Sequence, residues 1–161
     1  MKENISFIGL GKLGLPLSTL FAKNGVPVLG VDINEKLINI LQDNSHTPFF
    51  EKGLSKSLDL AYNNIEYTTS YDRVMDETDI SVILVNTQIG DSYSSDIVEN
   101  VIKDLCVELA KSEKDYHLFI LSSTVMPGEI RNNFIPMIEE LTGRELNKNF
   151  GFSYVPDVVK L

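Results

Sequence analysis

Three glycines near the start of the chain have the spacing of a phosphate-binding loop. Gly9, Gly11 and Gly14 form a G-x-G-x-x-G pattern directly after the apolar run Ile5–Ile8. In such a loop the first glycine allows a tight turn, the second lets the backbone approach a pyrophosphate, and the third lets a helix pack closely on its strand. The helix that follows points its unpaired N–H groups and the positive end of its dipole at the phosphates.

An acidic residue follows the next apolar run at the position that a dinucleotide site requires. The run at 26–31 is followed by Asp32, which stands 18 residues beyond Gly14. A carboxylate there accepts hydrogen bonds from the adenosine ribose hydroxyls and repels a 2′-phosphate, which favours NAD over NADP as the cofactor. The competing interpretation is a plain glycine turn with a surface aspartate. The combination of motif, flanking elements and acid disfavours it.

Two residues inside the glycine motif are added to the predicted cofactor site. Lys12 would bring a cation near the pyrophosphate, and Leu13 directly precedes the glycine that opens the helix. For Lys12 the competing interpretation is a solvated surface lysine. No metal site is predicted.

The composition narrows the class of protein. The chain has 161 residues, of which 43% are hydrophobic, so a single α/β domain with a substantial core is expected. The net charge of −9 disfavours binding to nucleic acid or to an anionic membrane surface. No apolar run is long enough to span a bilayer, and the first residues lack a signal pattern. The single cysteine excludes an internal disulfide and favours the cytoplasm.

Apolar runs alternate with amphipathic stretches along the whole chain. The expected strands are residues 5–8, 26–31, 65–68, 80–85, 118–122 and 150–154. The expected helices are residues 13–23, 35–42, 54–61, 95–111 and 128–141. This alternation predicts an α/β fold: a Rossmann-like, doubly wound, mostly parallel six-stranded sheet with helices on both faces, formed as one domain over residues 1–161.

The one cysteine, Cys106, lies on the apolar stripe of the helix expected at 95–111. A catalytic thiol needs a helix N-terminus or a histidine nearby to lower its pKa, and neither stands close in the sequence. Cys106 is therefore predicted to be a small buried hydrophobic residue.

Four further segments, taken in their order along the chain, carry a resemblance to a known family. They are Thr-Pro-Phe-Phe-Glu-Lys-Gly-Leu at 47–54, Val-Asn-Thr-Gln at 85–88, Ser-Ser-Thr-Val-Met-Pro-Gly at 122–128 and Tyr-Val-Pro-Asp at 154–157. Together with the Gly-Leu-Pro-Leu that closes the glycine motif, they make the chain resemble the N-terminal domain of the UDP-glucose/GDP-mannose dehydrogenase family. The resemblance covers essentially the whole chain, and the segment at 122–128 is its most specific part.

The resemblance implies both an activity and a larger protein. Members of that family oxidise the C6 alcohol of a nucleotide sugar to a carboxylate, using two NAD in succession and a thioester on a cysteine. That cysteine, a catalytic lysine, the central helix and the substrate domain would all lie beyond residue 161. We therefore expect a fragment that binds NAD but is inactive alone, from a homodimeric protein whose missing domain binds most of the nucleotide sugar.

The resemblance also assigns candidate site residues. Asp32, Thr87, Thr124 and Asp157 all follow the ends of expected strands, where open parallel sheets bind their ligands. By resemblance, Thr87 and Thr124 line the NAD channel. Thr124 would lie nearer the reaction centre, and it and Asp157 are the candidate catalytic residues. The competing interpretation of each threonine is a strand-end hydroxyl that bonds to local backbone.

The chain departs from the family pattern at three places. Where the family has Val-Pro-Thr-Pro, Asn86 and Gln88 replace the two prolines, which frees backbone dihedrals and adds N–H donors. The family's Pro-Glu becomes Pro-Asp at Asp157, and a second acid that some members carry four residues later is Leu161.

Two alternatives to a nucleotide-sugar dehydrogenase stay open. The N-terminal domain of a β-hydroxyacid-type NAD dehydrogenase would explain the glycines and Asp32, but not the segments at 47–54 and 122–128 together. A non-catalytic dinucleotide-binding module is the second alternative, which the substituted loop at 85–88 and Leu161 keep open.

Overall fold

Six short strands pair in parallel to form the central sheet of this computed structural model, which describes residues 4–43, 47–90 and 92–156. The sheet strands are β1 (Ile5–Ile8), β2 (Val28–Val31), β3 (Ile65–Thr68), β4 (Ile80–Ile83), β7 (His117–Leu121) and β8 (Phe150–Tyr154). Two further strands, β5 (Gln88–Ile89) and β6 (Ser92–Tyr93), form a small antiparallel ribbon.

The sheet has the strand order β3-β2-β1-β4-β7-β8. The chain begins in the middle, runs outward through β2 to β3, and then returns to place β4 against the other side of β1. Ligands of such sheets bind beyond the carboxyl ends of the strands at this reversal. The predicted fold class is confirmed, including β3, the strand with the weakest pattern.

Helices cover both faces of the sheet. They are α1 (Gly14–Lys23), α2 (Glu35–Asp43), α3 (Leu54–Ala61), α4 (Asp72–Glu77), α5 (Asp96–Lys111) and α6 (Ile135–Thr142). The first three bury their apolar sides in one core with Phe7 and Tyr67, and the last three in a second core with Phe119 and Phe150. Among the described residues, no helix combines the length and the apolar character needed to cross a bilayer.

Several element boundaries differ from the expectation. β2 begins at Val28 because Pro27 has no N–H to give to the ladder. β4 ends at Ile83, two residues early, and β7 begins and ends one residue early. Helix α4 was not anticipated because it has only six residues and buries only Val74 and Met75. The helix expected at 128–141 opens with a π-helical turn (Ile130–Phe134), just before Pro136, whose nitrogen cannot donate to the preceding turn.

The prediction for Cys106 is confirmed. Its side chain is fully buried on α5, within the second core. Burial raises the pKa of the Cys106 thiol to about 12, so the thiolate that a nucleophile requires does not form at neutral pH.

A buried polar cluster joins three neighbouring strands at their amino ends. The hydroxyl oxygens of Ser6 on β1 and Ser81 on β4 lie 2.9 Å apart, and Ser81 Oγ lies 2.8 Å from Nε2 of His117 on β7. All three side chains are fully buried. Burial lowers the pKa of His117 to about 3, so the ring is neutral at physiological pH. This cluster lies at the end of the sheet opposite to the one where a ligand is expected.

Candidate functional site

A cleft of about 330 Å³ opens at the carboxyl edge of the sheet, where β1 and β4 adjoin. Three segments line it: residues 11–14 after β1, residues 84–87 after β4 and residues 122–124 after β7. The cleft therefore brings together the central part of the glycine motif, Thr87 and Thr124, which the sequence had placed at separate strand ends. Within the described residues, no group of three His, Cys, Asp or Glu side chains could hold a metal ion.

The three glycines of the motif serve different purposes. Gly9 has a φ of +95°, and a Cβ added to it would lie 2.5 Å from the carbonyl oxygen of Leu84. A Cβ on Gly14 would overlap the carbonyl oxygen of Gly9. A Cβ on Gly11, in contrast, would meet no atom within 4 Å. The fold itself thus requires glycine at 9 and 14, whereas the open space at Gly11 suits the close approach of a ligand.

Asp32 ties the glycine loop to the end of β2. The Leu10 N–H donates to Asp32 Oδ2 over 2.8 Å, and the Asn34 N–H donates to Oδ1 over 2.9 Å. A carboxylate has about four lone-pair positions, so this one retains acceptor capacity for ribose hydroxyls.

A neighbouring groove extends the cleft toward Asp32. Leu10 and Asn34, the two donors to that carboxylate, line the groove together with Gly11 and Lys12. Gly11 and Lys12 also line the central cleft, so the two depressions form one path along the sheet edge. An elongated ligand can lie along this path, with one nucleoside near Asp32 and the other near Thr124.

The middle of the path lies at the N-terminus of α1. Leu13 precedes the helix and has no side-chain acceptor that could cap its first N–H groups. The side chain of Lys12 is exposed beside them. Among the described residues, the N–H groups of residues 11–14 have no hydrogen-bond acceptor, whereas the Leu15 N–H donates to the Gly11 carbonyl oxygen over 3.1 Å and Pro16 has no N–H. Unpaired N–H groups just before a helix and at its first residue, the dipole and a nearby cation together favour bound phosphates. The residues present therefore fit a dinucleotide.

In the part of the chain that the structure describes, neither the Thr87 nor the Thr124 hydroxyl bonds to another protein group. This disfavours the interpretation that they serve only local backbone. Both hydroxyls remain able to donate to, or accept from, a ligand in the cleft.

The loops that carry the threonines are braced by residues that the sequence reasoning missed. Ser123 Oγ donates to the carbonyl oxygen of Val85 over 2.7 Å and so joins the loop after β7 to the loop after β4. Asn86 closes its own turn: its Nδ2 donates to the Gln88 carbonyl over 2.8 Å, and its Oδ1 accepts the Gln88 N–H over 3.1 Å. Asparagine commonly makes such turns, so its position at a strand end was a usable signal.

A second brace lies at Glu129, one residue beyond the motif at 122–128. Ser95 Oγ donates to Glu129 Oε1 over 2.7 Å, and the Tyr93 hydroxyl donates to Oε2. The Met126 N–H also donates to Oε2, over 2.8 Å. Burial by itself would raise the pKa of Glu129, but the three donors outweigh it and lower that pKa. The three-residue spacing from Met126 to Glu129 is that of a capping box, a faint signal in the sequence.

Asp157, the other candidate catalytic residue, lies outside the described residues, as does Leu161. The nearest strand, β8, runs parallel to β7, and the Val155 N–H donates to the carbonyl oxygen of Leu121 over 2.9 Å.

A family model and individual relatives all match this chain to the same family of proteins. Residues 3–160 match the model of the UDP-glucose/GDP-mannose dehydrogenase family, NAD binding domain. The chain is 29% identical over 161 residues to a GDP-mannose 6-dehydrogenase of Pseudomonas syringae pv. tomato (97% of this chain, 36% of the relative). It is 30% identical over 159 residues to a UDP-glucose 6-dehydrogenase of Haloferax volcanii (97% of this chain, 36% of the relative).

A solved structure agrees with these relatives. The crystal structure of a ternary complex of GDP-mannose dehydrogenase from Pseudomonas aeruginosa superposes with a TM-score of 0.90 at 26% identity. The match covers 99% of this chain and 37% of that one. The chain thus spans little more than a third of the length of the proteins that it matches.

Proposed function

Because the chain belongs to the UDP-glucose/GDP-mannose dehydrogenase family, as its NAD-binding domain, we propose that it holds NAD for the oxidation of a nucleotide sugar at its C6 alcohol. The observation that carries the proposal is the path from Asp32 to Thr124 along the carboxyl edge of the sheet, with open space at Gly11 in its middle. The family match includes the segments at 47–54 and 122–128, which a β-hydroxyacid-type dehydrogenase does not explain.

Each part of the path has a proposed task. Asp32 accepts the ribose hydroxyls of the adenosine half, and it already holds the glycine loop through Leu10. Gly11 lets the pyrophosphate lie against the backbone at the start of α1, beside Lys12 and Leu13. Fixed N–H donors that face the phosphates need no rearrangement on binding, which favours affinity.

At the other end of the path, Thr87 and Thr124 orient the nicotinamide half through their hydroxyls. NAD, when bound, supplies the hydride acceptor for the oxidation. Thr124 stands nearer the reacting carbon and helps to position the sugar alcohol. We assign Asp157 to the same reaction centre, as a carboxylate that positions a water or holds a proton after β8.

The complete protein is proposed to convert the C6 alcohol to a carboxylate. The relatives named above act on GDP-mannose and UDP-glucose, so the substrate class proposed is a nucleoside diphosphate sugar. A homodimer and a cytoplasmic location remain predictions from the resemblance and from the cysteine count. A non-catalytic dinucleotide-binding module would share the NAD site and lack only the oxidation.

The proposal predicts NAD binding without turnover by the 161-residue chain. Calorimetric titration should give a saturable, one-to-one NAD isotherm. No NADH should form when UDP-glucose or GDP-mannose is added with saturating NAD, because the resemblance assigns most of the nucleotide-sugar site and a catalytic lysine to a further domain. The single thiol, Cys106, is buried and protonated and cannot form the thioester of the second oxidation. Absence of NAD binding would contradict the proposal. NADH formation that disappears in Cys106→Ala would contradict the role given to Cys106.

The two threonines should differ in their effect on turnover by the full-length protein. Thr124→Ala should lower kcat by about 30-fold or more, since a fixed polar group near developing charge contributes roughly 2–4 kcal/mol to the transition state. Thr87→Ala should lower it less. The expected difference comes from distance to the reaction centre, because both loops are braced in the structure. Steady-state kinetics of both variants on the natural sugar nucleotide measure this, and an equal or larger loss at Thr87 would contradict it.

A further inference from the structure

A carboxylate joins the two threonine loops at a second place, in addition to the bond from Ser123 Oγ to the Val85 carbonyl oxygen. Glu129 follows the loop of Thr124, and its oxygens accept bonds from Tyr93 and Ser95, which follow the loop of Thr87. Met126, two residues beyond Thr124, donates its N–H to the same carboxylate over 2.8 Å. One side chain thus receives donors from both walls of the cleft.

The ribbon beside Thr87 depends on contacts from outside itself. Its strands β5 and β6 have two residues each, and an isolated two-stranded ribbon is marginally stable in water. Tyr93 pairs across the ribbon with Gln88, the residue after Thr87. Ser94 lies between the two residues that Glu129 binds, and its N–H donates to the Thr87 carbonyl over 3.0 Å. Two contacts therefore connect the residues that bind Glu129 with the Thr87 loop. They are the pairing of Tyr93 with Gln88 and the bond from the Ser94 N–H to the Thr87 carbonyl oxygen.

A carboxylate suits this position better than other side chains of its size. An ionised glutamate only accepts, and it can receive the three donors of Tyr93, Ser95 and Met126 at once. A glutamine would present an NH₂ group to one of those donors. Hydrogen bonds to a charged group are stronger than those between neutral groups. Replacing Glu129 with glutamine therefore weakens the hydrogen bonds that Tyr93, Ser95 and Met126 donate to it. Glu129, Tyr93 and Ser95 are all half-buried, which limits competition from water.

We propose that Glu129 is a positioning residue that sets the spacing between the Thr87 and Thr124 loops and thereby shapes the nicotinamide end of the cleft. The inference rests on the proposed function, because it takes the Thr87–Thr124 end as the nicotinamide side. It assigns to Glu129 no contact with cofactor or substrate.

Binding of NADH and of ADP-ribose tests this inference. ADP-ribose shares the adenosine and pyrophosphate of NADH but has no nicotinamide, so the ratio of the two affinities reports on the Thr87–Thr124 end alone. NADH is used because its dihydronicotinamide is neutral, which separates positioning from the loss of the Glu129 charge. Fluorescence titration gives the NADH affinity, and calorimetry gives that of ADP-ribose.

Glu129→Gln and Tyr93→Phe are the test variants. Each should lower the NADH/ADP-ribose affinity ratio by about tenfold, close to the lower limit for a hydrogen bond to a charged group, while ADP-ribose affinity stays within about twofold. The double variant should lose less than the sum of the two single variants, since both act on the same set of hydrogen bonds at Glu129. Glu108→Gln and Tyr62→Phe are matched controls, a half-buried glutamate paired with Lys111 and an exposed tyrosine. Both should leave the ratio unchanged.

The outcomes separate this inference from the proposed function. If the unaltered chain binds neither ligand, the proposed function fails. If it binds NADH no more tightly than ADP-ribose, or if the variants lose thermal stability but keep the ratio, the positioning role of Glu129 is wrong. Should Glu129→Gln not fold, Tyr93→Phe and Ser95→Ala each remove one donor, keep the carboxylate, and decide the question.

Discussion

Gly11→Val should lower NAD affinity by at least about 100-fold, equivalent to roughly 2.7 kcal/mol, without unfolding the chain. The backbone at Gly11 is not in the left-handed region, and a Cβ there meets no atom within 4 Å. We therefore expect the free protein to accommodate a valine at this position without unfolding. Its side chain would occupy the space along which the pyrophosphate is proposed to lie. Calorimetry measures the loss of NAD binding, and circular dichroism with a thermal melt measures the fold.

Gly14→Ala is the matched comparison for this prediction. Its new methyl would overlap the carbonyl oxygen of Gly9, which is backbone and cannot move aside cheaply. We expect a loss of about 3 kcal/mol or more in the free energy of unfolding. The two substitutions should thus separate ligand binding from folding within one motif. A Gly11→Val protein that keeps micromolar NAD affinity, or that unfolds, would contradict this division.

The chain should bind NAD at least about tenfold more tightly than NADP, and Asp32→Asn should remove most of that preference. Two like charges about 4 Å apart repel by roughly 4 kcal/mol near a protein surface, so even part of the repulsion between Asp32 and a 2′-phosphate is enough to give a tenfold preference. Asparagine keeps an oxygen for the Leu10 N–H while removing the charge. Competitive titration of both cofactors measures the preference.

Asp32→Ala should behave differently from Asp32→Asn. It removes both backbone bonds as well as the charge, so affinity for both cofactors should fall as the glycine loop loses its tie to β2. Asp59→Asn, on the exposed side of α3, removes one negative charge elsewhere and should leave the preference intact. Equal affinities for NAD and NADP in the unaltered chain would refute the role of Asp32.

The sequence predicted those features that depend on local pattern. Buried parallel strands have short apolar runs in the sequence, so the sheet could be predicted, and the glycine spacing with Asp32 indicated where a candidate site would lie. Helix α4 was not predicted because its six residues are too few to show a helical periodicity of apolar residues.

The braces of the site could not be predicted in the same way. Ser123 and Val85 are 38 positions apart, and Tyr93 and Glu129 are 36 apart. Such pairs meet only because β4 and β7 are neighbours in the folded sheet. The missing prolines beside Thr87 suggested a loosely held loop, whereas the turn of Asn86 and the bonds to Glu129 restrain it. The local sequence thus shows that two prolines are missing from this loop, but it does not show the hydrogen bonds that residues distant in the sequence supply to it.

The pairing of β1 with β4 has a consequence for the survival of the chain in a cell. This ladder of four residue pairs joins the first three strands of the sheet to the last three. The proposed cofactor path uses residues 11–14 from the first half and residues 84–87 and 122–124 from the second. Pulling the halves apart would therefore release the cofactor. At an NAD concentration 100 times its Kd, binding adds about 2.7 kcal/mol to stability. Proteases that cleave transiently opened molecules would then degrade the NAD-free chain faster than the NAD-bound chain. The amount of the chain in the cell would therefore rise and fall with the NAD concentration.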